Sequence, residues 1–155
     1  FIFIPEMIGS LVYLKKNYSI LKKNIFAGFN ISCVGDSREY SYIPSRCEIS
    51  FSDQICKHVL KHIDKDYKTY KWLDRGSDER NFCAPGFDLP VVTICRSKFG
   101  EFPEYHTSKD DLSLVSAKGL GESFSLIKKI IDCIEYNRNY KSTVKGEPQL
   151  GKRNL

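Results

Sequence analysis

Apolar residues along this chain alternate between short unbroken runs and stretches with helical spacing, and the two patterns predict different elements. Phe1 to Ile4 is continuous, β-branched and aromatic, which predicts a buried strand ended by Pro5. A helix is predicted from about Ser10, which can cap it, with Leu11, Leu14, Tyr18 and Leu21 at helical spacing. Ile25 to Val34 repeats the strand pattern and stops at Gly35-Asp36. Ser37 to Ser50 is polar and turn-rich. Ser52-Asp53 can cap an amphipathic helix carrying Ile55, Val59, Leu60 and Ile63. Tyr67 to Leu73 predicts a short strand, Gly76 to Gly86 a loop with one helical turn, and Pro90 to Cys95 a buried strand. Ser97 to Tyr105 is a long loop. The last helix is predicted from Ser116 to Asn137, with Leu120, Phe124, Ile127, Ile131 and Ile134 as the most regular apolar face in the chain.

Strands that alternate with helices predict an α/β fold, with helices packed on a largely parallel or mixed sheet. Ligands of such sheets bind beyond the carboxyl ends of the strands. The segments to examine are therefore Pro5 to Gly9, Gly35 to Arg46, Arg75 to Phe82 and Phe99 to Asp111.

Composition narrows the function classes. The 155 residues suffice for one domain with a core, and 41% apolar with 28% charged residues is ordinary for a soluble protein. No apolar run approaches the ~20 residues needed to cross a membrane. The net charge of +5 comes from lysines scattered over predicted helix faces, without the basic stripe of a nucleic-acid groove. The six cysteines include no C-x-x-C, and no basic, apolar leader precedes Pro5, so they are expected to be reduced thiols in a cytoplasmic protein. Cys33 and Cys95 lie in strand-like runs as small hydrophobes. The chain opens within an apolar run and closes on a polar tail from Lys145 to Leu155, the pattern of an internal fragment. A G-x-S-x-G elbow, a Walker loop and a G-x-G-x-x-G are all absent from the sequence.

Several residues can carry chemistry, each with a plainer alternative. Glu6 follows the first strand-like run and can serve as a metal ligand or general base, or simply favour a helix N-terminus. Asp36 leaves the second run and can bind a metal or cap its turn. His106 lies between a strand and a helix, where Thr107 and Ser108 can cap the helix and hold the imidazole. His58 and His62 share a helix face at metal-binding spacing, but Val59 stands where a metalloprotease needs Glu.

Three segments then combine: Gly76-Ser77-Asp78-Glu79-Arg80-Asn81-Phe82, Pro85-Gly86-Phe87-Asp88-Leu89-Pro90, and His106-Thr107-Ser108-Lys109-Asp110-Asp111-Leu112. Their order and flanking strand resemble the closing part of the zinc aminopeptidase family. There a Ser-Asp-His-x-x-Phe loop leads to Gly-Ile-Pro and a strand, and a His-Thr-x-x-Asp-x-Leu turn supplies a zinc ligand. Phe3-Ile4-Pro5-Glu6-Met7-Ile8-Gly9-Ser10 is similar to that family's Gly-Glu-Glu-x-Gly segment. Val34-Gly35-Asp36 falls where the family has a metal-binding Asp. The chain is most similar to a narrower group, the aminopeptidase-like proteins of bacterial polysaccharide-biosynthesis clusters. Their Ile-Pro-Glu-Thr-Ile-Gly-Ser, Cys-Val-Gly-Asp, Gly-Ser-Asp-Glu-Arg and Tyr-His-Thr-Ser-x-Asp-Asp-Leu segments stand here nearly intact, as does the tail from Gly146 to Arg153.

The resemblance implies a three-layer α/β/α zinc-exopeptidase fold over residues 1–140, incomplete at its N-terminus, with 141–155 leading towards a winged-helix domain. It implies hydrolysis of a small peptide or amide by zinc-activated water, with one or two zinc ions. Asp36 and His106 would be ligands and Glu6 the base or a ligand. Asp78, Arg80, Arg46 and Tyr105 would meet substrate, an arginine fork suiting a carboxylate. The chain departs from the pattern in three ways. Met7 replaces the second Glu, Glu79 replaces the His of the Ser-Asp-His loop, and the family's upstream His and bridging Asp are not among these residues. Two alternatives follow: a degenerate binding or regulatory protein of surface-polysaccharide biosynthesis, and a sugar amidase or deacetylase. For Arg46 and Arg80 the alternative is pairing with acids such as Asp78 or Glu48.

Overall fold

The computed structural model describes residues 1–143, 145–147 and 149–154. Val144, Pro148 and Leu155, all in the predicted tail, lie outside the described residues. Elements follow in the order α1 (Ile8–Asn24), β1 (Gly28–Ile31), β2 (Ser41–Ile43), α2 (Phe51–Ile63), β3 (Lys68–Thr69), α3 (Glu79–Phe82), β4 (Val91–Cys95) and α4 (Ala117–Glu135). The four strands form one mixed sheet in the order β1-β4-β2-β3. β1 runs parallel to β4 and β2 parallel to β3, while β2 and β4 are antiparallel.

Every residue of β4 is buried, so the strand needs cover on both faces. Its alternation separates two cores. Val92 and Ile94 face Tyr42, Leu60, Leu126 and Ile130 under α2 and α4. Val91 packs with Leu14 and Leu21 of α1 and with Cys83 and Leu89. The result is the expected three-layer α/β/α arrangement.

α2 begins two residues earlier than a cap at Ser52 would place it. Ser50 is the N-cap, and Asp53 closes a capping box with it. The fully buried Asp53 carboxylate also accepts from Ser45 N (3.0 Å), Ser45 Oγ (2.6 Å) and the Tyr42 hydroxyl. Burial alone would raise its pKa, but the hydroxyls of Ser45, Ser50 and Tyr42 outweigh that and hold it below the ordinary carboxylate range.

Four expectations are corrected. Phe1 to Ile4 is not a strand, and Phe1 and Phe3 are exposed; no described strand runs beside it to take its hydrogen bonds. The segment read as turns, Ser37 to Ser50, contains β2, fully buried in the middle of the sheet. Ser10 does not cap α1 but lies in its first turn, with its hydroxyl on the Met7 carbonyl (2.9 Å). The buried side of α4 is Gly119, Ser123, Leu126 and Ile130, whereas Leu120, Phe124 and Ile131 are exposed. The last correction has a cause in packing: the small residues let α4 approach the β1 exit, where Ser123 Oγ donates to Val34 O (2.8 Å).

No helix among the described residues is long and apolar enough to cross a membrane. All six cysteines are free.

Candidate active site at the strand exits

The parallel register of β1 and β4, from Gly28 opposite Val91 to Ile31 opposite Ile94, brings their carboxyl ends side by side. Asp36 leaves β1 there and Ser97 leaves β4. The Asp36 side chain is 5% exposed and accepts from Arg38 N (2.9 Å), Ser97 N (3.0 Å) and Ser97 Oγ (3.0 Å). A carboxylate offers about four lone-pair sites, so this frame fixes the group and leaves capacity for a further partner. α4 braces the same loop from behind, since Ser116 N donates to Gly35 O (2.9 Å).

Glu6 sits on the turn before α1, and Ser77 Oγ donates to its Oε1 (2.5 Å). The adjacent Met7 adopts a φ of 61°, a strained conformation for a side chain of this size. Asp78 holds that turn by accepting Met7 N (2.7 Å), and Asn81 Nδ2 donates to Met7 O (3.1 Å) and Ser10 Oγ (2.7 Å). Asp78 thus supports the Glu6 turn through the backbone. Glu79 is fully buried and accepts from Gly76 N (2.7 Å), Ser77 N (3.1 Å) and Asn30 Nδ2 (3.0 Å), which shapes the loop that carries Ser77.

His106 is exposed, has a φ of 57°, and stacks on Tyr105 with ring centroids 3.9 Å apart. Thr107 and Ser108 do not cap a helix: Thr107 Oγ1 turns back to Glu104 O (2.8 Å), and α4 starts later, capped by Ser116. Glu104 forms a two-bond fork with Arg38 (2.6 and 3.1 Å), and that hydrogen bonding holds its carboxyl below the ordinary range.

Cys33 links these loops electrostatically. It lies past the end of β1 with a φ of 48°, so it is not the strand-interior residue its sequence suggested. Burial pushes its thiol pKa up, the Ser32 hydroxyl opposes, and the charges of Asp110, Asp36 and Glu6 push further up. Burial also raises the Tyr105 phenol, with Cys33 and Glu6 adding to it.

The remaining candidates stand apart. Arg46 is paired with Asp88, not with Asp78 or Glu48. Arg80 is exposed on α3. His58 and His62 are exposed on α2, with ring centroids 4.8 Å apart. Among the described residues no group of three or more His, Cys, Asp or Glu side chains is close enough to hold a metal ion. Asp36, His106 and Glu6 are residue types that can bind zinc, and Asp36 has supporting hydrogen bonds, but the described residues do not gather these three around one point. Ser77, Asn81, Ser97 and Arg38 were not among the sequence candidates. Ser97 carried one usable signal, a small polar residue two positions past a buried strand.

The comparisons bear on the whole arrangement. A family model described as a domain of unknown function (DUF4910) matches residues 1–137. The chain belongs to this family. It is 40% identical over 156 residues to a Clostridium acetobutylicum protein named "Putative polysaccharide biosynthesis protein with aminopeptidase-like domain". That match takes in 100% of this chain and 36% of the relative, so the chain spans about a third of the relative's length. The crystal structure of a "putative peptidase" from Clostridium acetobutylicum is similar, with a TM-score of 0.87 and 40% identity over 96% of this chain and 35% of that one. An aminopeptidase from Aneurinibacillus sp. strain AM-1 shares the fold, with a TM-score of 0.67 and 18% identity over 81% of this chain and 30% of that one. The family member described here thus has an aminopeptidase-like fold.

Proposed function

We propose that this chain is part of a zinc-dependent hydrolase of peptide or amide bonds, with Asp36 and His106 on the loops that follow β1 and β4 and Glu6 on the turn before α1. The observation that carries the reading is Asp36: a buried carboxylate held by three donors, with lone-pair capacity for a further partner, beyond the carboxyl ends of β1 and β4, where ligands of this fold class bind. Asp36 and His106 would hold the metal, and the remaining ligands would come from outside these 155 residues. When bound, zinc supplies Lewis acidity to water and to an amide carbonyl. Glu6 takes a proton at its free Oε2 while Ser77 fixes Oε1. Tyr105 keeps the imidazole plane in place by stacking. A small peptide or amide is the proposed substrate, in a pathway of surface-polysaccharide synthesis.

The test is turnover by the full-length protein on short peptides and N-acetylated sugars. Hydrolysis should stop with 1,10-phenanthroline and return with zinc. Glu6→Gln should lower kcat by roughly 10²- to 10⁴-fold with KM little changed. Products on the sugar panel alone would move the assignment to a deacetylase. Turnover indifferent to both chelator and Glu6→Gln would overturn the proposal. A second reading, a binding protein on a peptidase fold, is favoured by Met7, which stands where the zinc aminopeptidases carry a second Glu. Absence of turnover on both panels would support it.

A further inference from the structure

We infer that Arg38 is the positioning residue that joins the Asp36 loop to the His106 loop. The inference rests on the hydrolase reading for its functional consequence, but its geometry stands independently. One residue makes both connections. The Arg38 backbone N–H donates to Asp36 Oδ1 at 2.9 Å. Its guanidinium grips both oxygens of Glu104, at 2.6 and 3.1 Å, two residues before His106. The same guanidinium lies 6.0 Å from the Phe102 ring centroid, and Phe102 meets Tyr105 edge-on at 5.6 Å. Tyr105 in turn stacks on His106.

Arginine suits this place because its planar fork matches a carboxylate in two bonds and resists rotation about either one. Lysine would make a single, freely turning contact. Beyond the Tyr105 ring against the buried Phe99, with centroids 6.5 Å apart, the loop has little else to hold it: from Phe102 to Leu112 no residue is fully buried, and its backbone bonds are local turns. A side-chain change at Arg38 leaves the N–H on Asp36 and removes only the tie to Glu104. The pair is exposed enough that the fold should survive its loss.

The experiment compares wild type, Arg38→Gln, Arg38→Lys and the exchanged pair Arg38→Glu with Glu104→Arg, all in the full-length protein. Amide exchange across residues 99–112 should quicken about tenfold in Arg38→Gln, with the core strands unchanged. Zinc release to a chromophoric chelator should quicken roughly 10- to 100-fold, the size expected when a supporting contact behind a metal ligand is removed. Arg38→Lys should recover little, and the exchanged pair should recover part of both effects. Exchange and zinc release equal to wild type in Arg38→Gln would overturn the inference. A wild type that holds no zinc would defeat the hydrolase reading alone, and the exchange measurement would still decide whether Arg38 ties the loops.

Discussion

Asp53→Ala is expected to lower stability by about 4 kcal/mol, because it leaves several buried donors without a partner. The carboxylate accepts from Ser45 N and Oγ, Ser50 N and Oγ, and the Tyr42 hydroxyl. It therefore joins the N-terminus of α2 to β2, and Tyr42 lies in the main core. Chemical denaturation at neutral pH measures the loss. The acid side gives a second readout. Asp53 has a depressed folded pKa, so between that value and the unfolded value of about 3.9 the unfolded chain binds more protons. Its contribution is complete above pH ~4 and is lost as pH falls through the folded pKa. Asp53→Asn keeps the volume and one acceptor. It should recover part of the stability and flatten that acid loss. A neutral Asp53→Ala would mean that the network does not hold α2 to the sheet.

Gly119→Ala should cost about 3 kcal/mol, at the upper end for an added methyl group, because the atoms in its way are backbone. A Cβ at Gly119 would stand 2.2 Å from Gly35 O and 2.4 Å from Asp36 O, so either α4 or the Asp36 loop must move. The damage reaches the site as well as the fold, since that loop carries the best-framed carboxylate. Gly121 is two positions on in the same helix, and a Cβ there would have nothing within 4 Å. Gly121→Ala should therefore be neutral or stabilising by about 0.5–1 kcal/mol through helix propensity. Melting temperatures of the two variants, side by side, separate close approach from helix propensity. Equal effects would show that the contact with the Asp36 loop yields easily.

Much of the architecture was legible because β4, α2 and the extent of α4 follow their apolar spacing. Where the pattern misled, a tertiary contact was responsible. β2 is only three residues long, and what buries it is Asp53 and the neighbouring strands, not its own pattern. The buried face of α4 was misjudged because Gly119 and Ser123 carry no apolar signal, although their smallness permits the contact. The same division holds in the site. Glu6, Asp36 and His106 do lie outside helices and strands, as their sequence context suggested, although no strand precedes Glu6 and no helix starts at Thr107. Their supports were not legible, because Ser97 reaches Asp36 across 61 positions, Arg38 reaches Glu104 across 66, and Ser77 reaches Glu6 across 71.

The most direct test of the proposed chemistry is zinc content, by elemental analysis, of the full-length protein purified without added metal, beside His106→Ala and Glu6→Gln. The account predicts roughly one or two zinc ions per chain, lost in His106→Ala and kept in Glu6→Gln. An intact protein that carries no zinc would contradict it and leave an aminopeptidase-like fold used for binding.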